Sequence, residues 1–268
     1  MHPFPLVVAH RGSSVAHPEH TLAAYAGAIG EGADGLECDV RLTSDGHLVC
    51  VHDRKLNRTS DGRGPVSERS LAELSALDFG SWRDELPASA DELMRPGVDP
   101  ARSRLLTLER LLGIVLAAPR PVRLFIETKH PTRYGGLVEQ QLVRMLRSFG
   151  LADPPERDSS RVVVMSFAPA AIRRIRLLAP GLPTMLLLDR VAPFRRDGSL
   201  PTGATWAGPG LHILRAHPSY VGRVQEAGGR VYVWTVDEAA DIEDVIRLGV
   251  DAIATNRPSE VLRRLGRG

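Results

Sequence analysis

From Leu6 to Leu265 the chain alternates short, mostly apolar runs with longer stretches in which apolar residues recur at helical spacing. The apolar runs are Leu6–Ala9, Val122–Ile126, Val162–Met165, Thr184–Leu188, Leu211–Leu214, Val231–Val236 and Ala252–Thr255. An apolar run without alternation fits a parallel strand buried on both faces. The helical stretches begin with one capped by Thr21, in which Leu22, Tyr25, Ala26 and Ile29 share a face and Gly30 and Gly32 close the end. Further helices are predicted over Thr107–Ala118, Leu137–Phe149, Pro169–Leu178, Tyr220–Ala227, Glu238–Leu248 and Ser259–Leu265.

Gly35–Asp53 reads instead as a hairpin. Residues two apart on a strand share a face, so Glu37 and Asp39 project together while Leu36, Cys38 and Val40 point the other way. Asp45-Gly46 reads as a two-residue turn, which pairs Ser44 with His47 and carries the ladder back until Asp39 faces His52. That register puts Glu37, Asp39 and His52 on one surface and Cys38 and Cys50 on opposite faces, which argues against a disulfide between them.

Periodicity breaks down between Arg54 and Arg104. Thr59–Pro65 is turn material, Ser70–Leu77 suits a short helix, and Pro87–Ser103 reads as irregular. This range is expected to be an insertion that covers the C-terminal face within a single domain spanning residues 1–268. Asp189–Gly210 reads as loop-rich. The alternation as a whole predicts a closed (β/α)8 TIM barrel with a small insertion after the second strand. The competing doubly wound sheet lacks a Gly-x-Gly-x-x-Gly after the first strand.

Composition narrows the class. The chain is 43% apolar and 25% charged, ordinary for a globular protein. A net charge of +2 supplies no field to draw nucleic acid or an anionic membrane. No apolar run reaches the roughly 18 residues of a membrane span, so no stable membrane insertion is expected. The N-terminal residues lack a secretory pattern, and two unpaired cysteines suit a reducing compartment, so a cytoplasmic location is expected.

The candidate chemistry sits in or at the ends of the predicted strands: His10, Glu37, Asp39, Glu127, Lys129, Ser166, Trp234 and Asn256. Three carboxylates from neighbouring strands form an all-oxygen set that suits Mg²⁺ or Ca²⁺. The structural alternative is a salt-bridge network with Arg11, Arg41 and Lys129. Two histidines, His10 and His52, can exchange a proton in both directions near neutral pH. Arg11 and Lys129 add fixed positive charge suited to an anionic centre such as a phosphodiester. Trp234 reads either as core or as a wall against the alcohol portion of a substrate, and His130 lies just past a strand end.

Several motifs occur in one order: Ala9-His10-Arg11-Gly12, Pro18-Glu19-His20-Thr21, Glu37-Cys38-Asp39-Val40, Val51-His52-Asp53, Ile126-Glu127-Thr128-Lys129, Val233-Trp234-Thr235-Val236 and Gly249-Val250-Asp251-Ala252-Ile253. In this order and spacing the chain resembles the glycerophosphodiester phosphodiesterase family over nearly its whole length. Leu56–Thr59 and Leu77–Trp82 resemble that family's insertion. The resemblance implies a TIM-barrel enzyme that hydrolyses small-molecule glycerophosphodiesters to glycerol 3-phosphate and an alcohol. It implies His10 and His52 as the acid/base pair, and Glu37, Asp39 and Glu127 as ligands of one divalent cation, Mg²⁺ or Ca²⁺. Arg11 and Lys129 would bind the phosphate, with Glu19, Trp234 and Asn256 as further candidate substrate contacts. The chain departs from the family in carrying His20 where Asn is usual. Two other readings are phospholipase D-like action on lysophospholipids and a catalytically silent barrel that binds phosphorylated ligands. The alcohol, the choice of cation, the division of labour between the histidines and the oligomeric state stay open at this stage.

Overall fold

The computed structural model describes residues 4–83, 99–190 and 197–268. Eight parallel strands close into a barrel: β1 (Leu6–Ala9), β2 (Gly35–Leu42), β4 (Arg123–Thr128), β5 (Val162–Ser166), β6 (Thr184–Leu188), β7 (Trp206–Pro209), β8 (Arg230–Val233) and β9 (Ala252–Thr255), with β9 returning to β1. β3 (Leu48–Cys50) lies outside the ring, antiparallel to β2. β1 pairs only with Gly35 and Leu36 of β2. β2 then runs on past the end of β1, and β3 takes up the edge thus freed at Val40–Leu42.

The hairpin register differs from the expected one by a residue. Val40 faces Cys50 and Leu42 faces Leu48, while Thr43 and His47 close the loop. The turn therefore holds three residues, Ser44, Asp45 and Gly46, with Gly46 at φ +88°. Asp45 is diverted from a two-residue turn because its carboxylate accepts the Thr43 hydroxyl and the Leu71 N–H. A one-residue slip moves every side chain to the opposite face. Cys50 consequently shares a face with Cys38, and both free thiols lie in the same apolar cluster. It also follows that Asp39 does not face His52. The Val51 N–H donates to the Asp39 carbonyl, and His52 lies beyond the ladder.

Two further expectations are corrected. Leu211–Leu214 belongs to a helix, Leu211–Ala216, and the sixth barrel strand is Trp206–Pro209, inside the stretch read as loop. Trp-Ala-Gly-Pro lacks strand propensity, but Pro209 is the last residue of the strand, and Gly208 is held close against Leu187 and Met185, where a Cβ would come within 2.6 Å. Trp234 stands just after β8 rather than inside it, bridged to Gly210. Of the irregular stretch expected over Pro87–Ser103, residues 87–98 lie outside the described residues, and Pro100–Ser103 is helical.

Strand alternation sorts the core. Val8, Phe125, Val163, Met165, Met185, Trp206, Tyr232, Ala252 and Ala254 fill the barrel interior. The other parity packs against the surrounding helices. Phe125 stacks on Tyr232 at 5.3 Å between ring centroids and meets Trp206 edge-on. Continuing the interior parity upward from this floor gives His10, Glu37, Asp39, Arg41, Glu127, Lys129, Trp234 and Asn256. The insertion has a small core of its own, where Leu56, Val66, Leu74 and Phe79 pack on Val49 and Val51. It touches the loops after β1 and β4 through Arg83, which donates to the carbonyls of Ser14, Val15 and His17, and through Tyr134, which donates to the Ser67 carbonyl.

Candidate active site

At the C-terminal mouth Glu37, Asp39 and Glu127 are all buried, and one oxygen from each lies within 4.8 Å of the others. Glu37 and Asp39 share the inner face of β2, and Asp39 is in register with Glu127 on β4. Three acids so close are compensated from two sides. Lys129 Nζ lies 2.9 Å from Glu127 Oε1 and 3.2 Å from Asp39 Oδ1. Arg11 Nε approaches Asp39 Oδ2 at 3.3 Å, and the Arg11 backbone N–H donates to Glu37 Oε2 at 2.9 Å.

That backbone donor is aimed by an unusual turn. Arg11 has φ +57° and Gly12 φ +86°. A Cβ on Gly12 would come within 2.8 Å of the Ala24 backbone and side chain, so glycine is required both by φ and by the close approach of the following helix.

The charges do not balance. Burial, then the Asp39 charge, pushes Glu37 well above the usual carboxylate range. Burial and Asp39 likewise push Glu127 up to about 8. Burial also opposes ionisation of Asp39, but Lys129 and His20 prevail and hold it well below its usual value. One ionised acid and two reluctant neighbours are what an oxygen-ligand site looks like when its positive charge is not counted. The donor set fits a hard divalent cation.

His20, the departure from the family pattern, is buried with φ +61°. Its Nε2 lies 2.9 Å from Asp39 Oδ2 and its Nδ1 2.8 Å from the Tyr25 hydroxyl, which donates to the Glu37 carbonyl. It thus braces Asp39 from behind.

The two candidate acid/base histidines reach the mouth differently. His10 follows β1, and its N–H continues the ladder to the Thr255 carbonyl. Its Nδ1 is 2.8 Å from Asn256 Oδ1. Burial, then the Arg11 charge, lowers its pKa to about 4, which keeps the imidazole neutral. His52 is half-exposed past the end of β3, with Nδ1 2.7 Å from Asp53 Oδ1. Burial lowers its pKa, while Asp39 and Asp53 pull the other way. Among the described residues neither Nε2 has a hydrogen-bond partner.

Asp53 belongs to a chain of ion pairs. Arg58 donates to both oxygens of Asp53 and both of Glu19, at 2.7–3.1 Å. Glu19 also accepts from Arg11 at 3.0 Å. Burial resists ionisation of Glu19, but the Arg58 hydrogen bonds and the surrounding positive charges bring it to about 2. Asn256 donates to Asp237 at 2.6 Å. Trp234 donates from Nε1 to the Gly208 carbonyl and meets the exposed Phe167 edge-on at 5.4 Å.

The structure therefore brings all ten candidate residues to one mouth, but Glu19 and Asn256 are turned toward Arg11, Arg58 and His10. His130 is drawn elsewhere. Its Nε2 meets the fully buried Glu139, which also takes Arg174. Sequence reasoning did not single out Asp237, Tyr25, Arg58 or Phe167. Asp53 and Arg58 sat inside quoted motifs, whereas nothing local marks Asp237.

Fold and site together define a barrel enzyme with an acidic centre flanked by two histidines at the C-terminal ends of its strands. The family model for the glycerophosphoryl diester phosphodiesterase family matches residues 10–260. A Mycobacterium tuberculosis protein named "Probable glycerophosphodiester phosphodiesterase 1" is 51% identical over 254 residues, covering 95% of this chain and 90% of its own. A glycerophosphodiester phosphodiesterase of Bacillus subtilis is 32% identical over 255 residues, covering 94% of this chain and 84% of its own. The crystal structure of a glycerophosphodiester phosphodiesterase from Parabacteroides distasonis superposes with a TM-score of 0.78 at 25% identity, over 98% of this chain and 97% of that one. The chain belongs to the glycerophosphoryl diester phosphodiesterase family.

Proposed function

We propose that the protein hydrolyses water-soluble glycerophosphodiesters to glycerol 3-phosphate and an alcohol, with a divalent cation, Mg²⁺ or Ca²⁺, held by Glu37, Asp39 and Glu127. The observation that carries this reading is the meeting, at one barrel mouth, of three buried carboxylates with two imidazoles, each tied at Nδ1 and bare at Nε2. When bound, the cation supplies charge neutralisation and polarisation at the phosphoryl group.

The remaining work falls to the chain's own residues. Arg11 and Lys129 orient the phosphodiester and offset its charge. His10, neutral and bare at Nε2, takes the proton of the glycerol C2 hydroxyl as that oxygen attacks phosphorus. The bond to the alcohol oxygen breaks, and His52 gives that oxygen a proton from Nε2, with Asp53 stabilising the charged imidazole beforehand. Water then opens the cyclic phosphate, and the two histidines exchange roles. Asn256 acts through His10, and Glu19 through Arg11 and Arg58. Trp234, with Phe167, supplies an aromatic wall for the bound substrate.

The reading places the enzyme in the cytoplasm as one domain with an insertion over 54–104, whose described residues 54–83 pack against the loops after β1 and β4. No described helix is long and apolar enough to cross a membrane. The test is release of glycerol 3-phosphate from glycerophosphocholine, with and without a chelator, and with Mg²⁺ or Ca²⁺ restored. Release that is abolished by chelation and restored by one cation supports the reading. Release indifferent to chelation and to His10→Ala overturns it.

A further inference from the structure

Beyond Asp39, β2 presents one more side chain on its inner face, Arg41. Its Nε and Nη2 both donate to the His52 carbonyl, at 3.0 and 2.6 Å, and no carboxylate pairs with it among the described residues. Arg41, Arg54, Lys129 and Arg133 line a shallow cleft, to which Ser67 and Thr132 add hydroxyls. Among the described residues no acidic side chain lines it. In a chain whose net charge is only +2, four cations on one wall are a local concentration, not a reflection of composition.

These cations are incompletely neutralised. Arg133 approaches the exposed Glu68 at 3.5 Å. The exposed Arg54 has no ion pair or side-chain hydrogen bond among the described residues. Lys129 belongs to both places: its ammonium holds Glu127 and Asp39, and the residue also lines the cleft. An alcohol that leaves the acidic cluster on the Lys129 side would meet a wall of guanidinium groups. Guanidinium forks match carboxylate and phosphate oxygens, whereas an ammonium placed among them meets only like charge.

We propose that this cleft is a subsite for a negative charge on the departing alcohol, so that the enzyme favours glycerophosphodiesters whose alcohol carries its own phosphate or carboxylate. The inference rests on the phosphodiesterase reading given above. It adds what that reading leaves open, the class of alcohol.

The test compares initial-rate kcat/KM for three substrates: glycerophosphocholine, glycerophosphoglycerol, and bis(glycerophospho)glycerol, whose alcohol bears a second phosphodiester. The expected order is anionic, then neutral, then cationic, with about tenfold between the ends, the scale of one or two charge-assisted contacts. In the double variant Arg54→Glu/Arg133→Glu the anionic-to-cationic ratio should fall by well over tenfold, to about 0.1, and so reverse in sense, mainly through KM. A reversed preference requires a folded, active enzyme, so misfolding cannot imitate it. Equal kcat/KM for all three substrates, or a ratio unmoved by the double variant, overturns the subsite and leaves the phosphodiesterase reading standing. No turnover of any of the three overturns both.

Discussion

His10 Nδ1 lies 2.8 Å from Asn256 Oδ1, an oxygen that also accepts the Ser14 hydroxyl at 2.7 Å. The amide is oriented by its other end, where Nδ2 donates to Asp237. Because Oδ1 can only accept, the His10 proton is on Nδ1 and the lone pair is on Nε2, toward the mouth. The strand ends of β1 and β9 thereby fix a tautomer that free imidazole does not hold.

Replacing Asn256 by Ala should release that tautomer. The expected loss is about tenfold to a hundredfold in kcat, below the 10²–10⁴ that removal of the general base itself brings in His10→Ala. Unfolding in urea should shift by about 2–3 kcal/mol for the three hydrogen bonds that the side chain makes, and kcat is read on the folded variant. A stability loss large enough to account for the activity would contradict the positioning role.

The low pKa of His10 has two measurable consequences. As a base with a pKa of about 4, it keeps Nε2 bare through mildly acidic conditions, so the acid limb of kcat/KM should lie nearer 4 than 6.5. The unfolded chain binds the His10 proton first, near 6.5. The stability that His10 contributes by staying neutral is therefore complete above 6.5 and declines as pH falls toward 4, by on the order of 3 kcal/mol at most. Urea titrations of the wild type and His10→Gln at pH 7 and pH 4.5 should show the wild type losing more than the variant.

Cation binding should release protons. With Glu127 raised to about 8, its carboxyl is largely protonated at pH 7 and must ionise to serve as a ligand. Calorimetric titration with Mg²⁺ or Ca²⁺ in two buffers of different ionisation enthalpy should report up to two protons released per cation, because Glu37 is held above the usual carboxylate range as well. Glu127→Gln should remove one of these protons and diminish the thermal stabilisation by cation, which for the wild type is about 2.7 kcal/mol at a hundredfold excess over Kd.

Arg58 ties Asp53, and through it His52, to Glu19 and Arg11. Its side chain is 42% exposed, so the screened pairs should contribute little to folding, within about 1 kcal/mol. Arg58→Ala is expected to reduce kcat roughly tenfold by freeing His52, with Tm nearly unchanged. Equal activity in the variant would remove this chain from the mechanism.

Glu139 provides the opposite case. It is fully buried between His130 and the partly exposed Arg174. Glu139→Ala leaves a half-buried cation and an imidazole without their acceptor and should cost about 2–3 kcal/mol in urea unfolding. kcat/KM measured on the folded variant should stay within about twofold, since His130 faces away from the acidic cluster.

Short apolar runs that alternate regularly with helical stretches mark a barrel, so the fold and most of its strands could be read from the chain alone, although Leu211–Leu214, read from the same signal, is helical. The shared face of Glu37 and Asp39 could be read as well, because strand parity is a local property. Trp206–Pro209 escaped because Gly208 and Pro209 carry no strand preference, and only the neighbouring strands and close-packed Met185 and Leu187 make that segment extended. The hairpin register failed for a related reason: Asp45 is held by Leu71, a residue from a distant helix. Sequence order determined which chemical groups exist and which ends of strands bear them. Tertiary structure alone decided the rest: that Asn256 and Asp237 set the His10 tautomer, that Arg58 joins Glu19 to Asp53, and that Arg41 and Arg54 stand on one wall with Lys129. Those relations are made across strands and loops far apart in the chain, where hydrogen-bond direction and charge are settled by barrel closure and not by spacing.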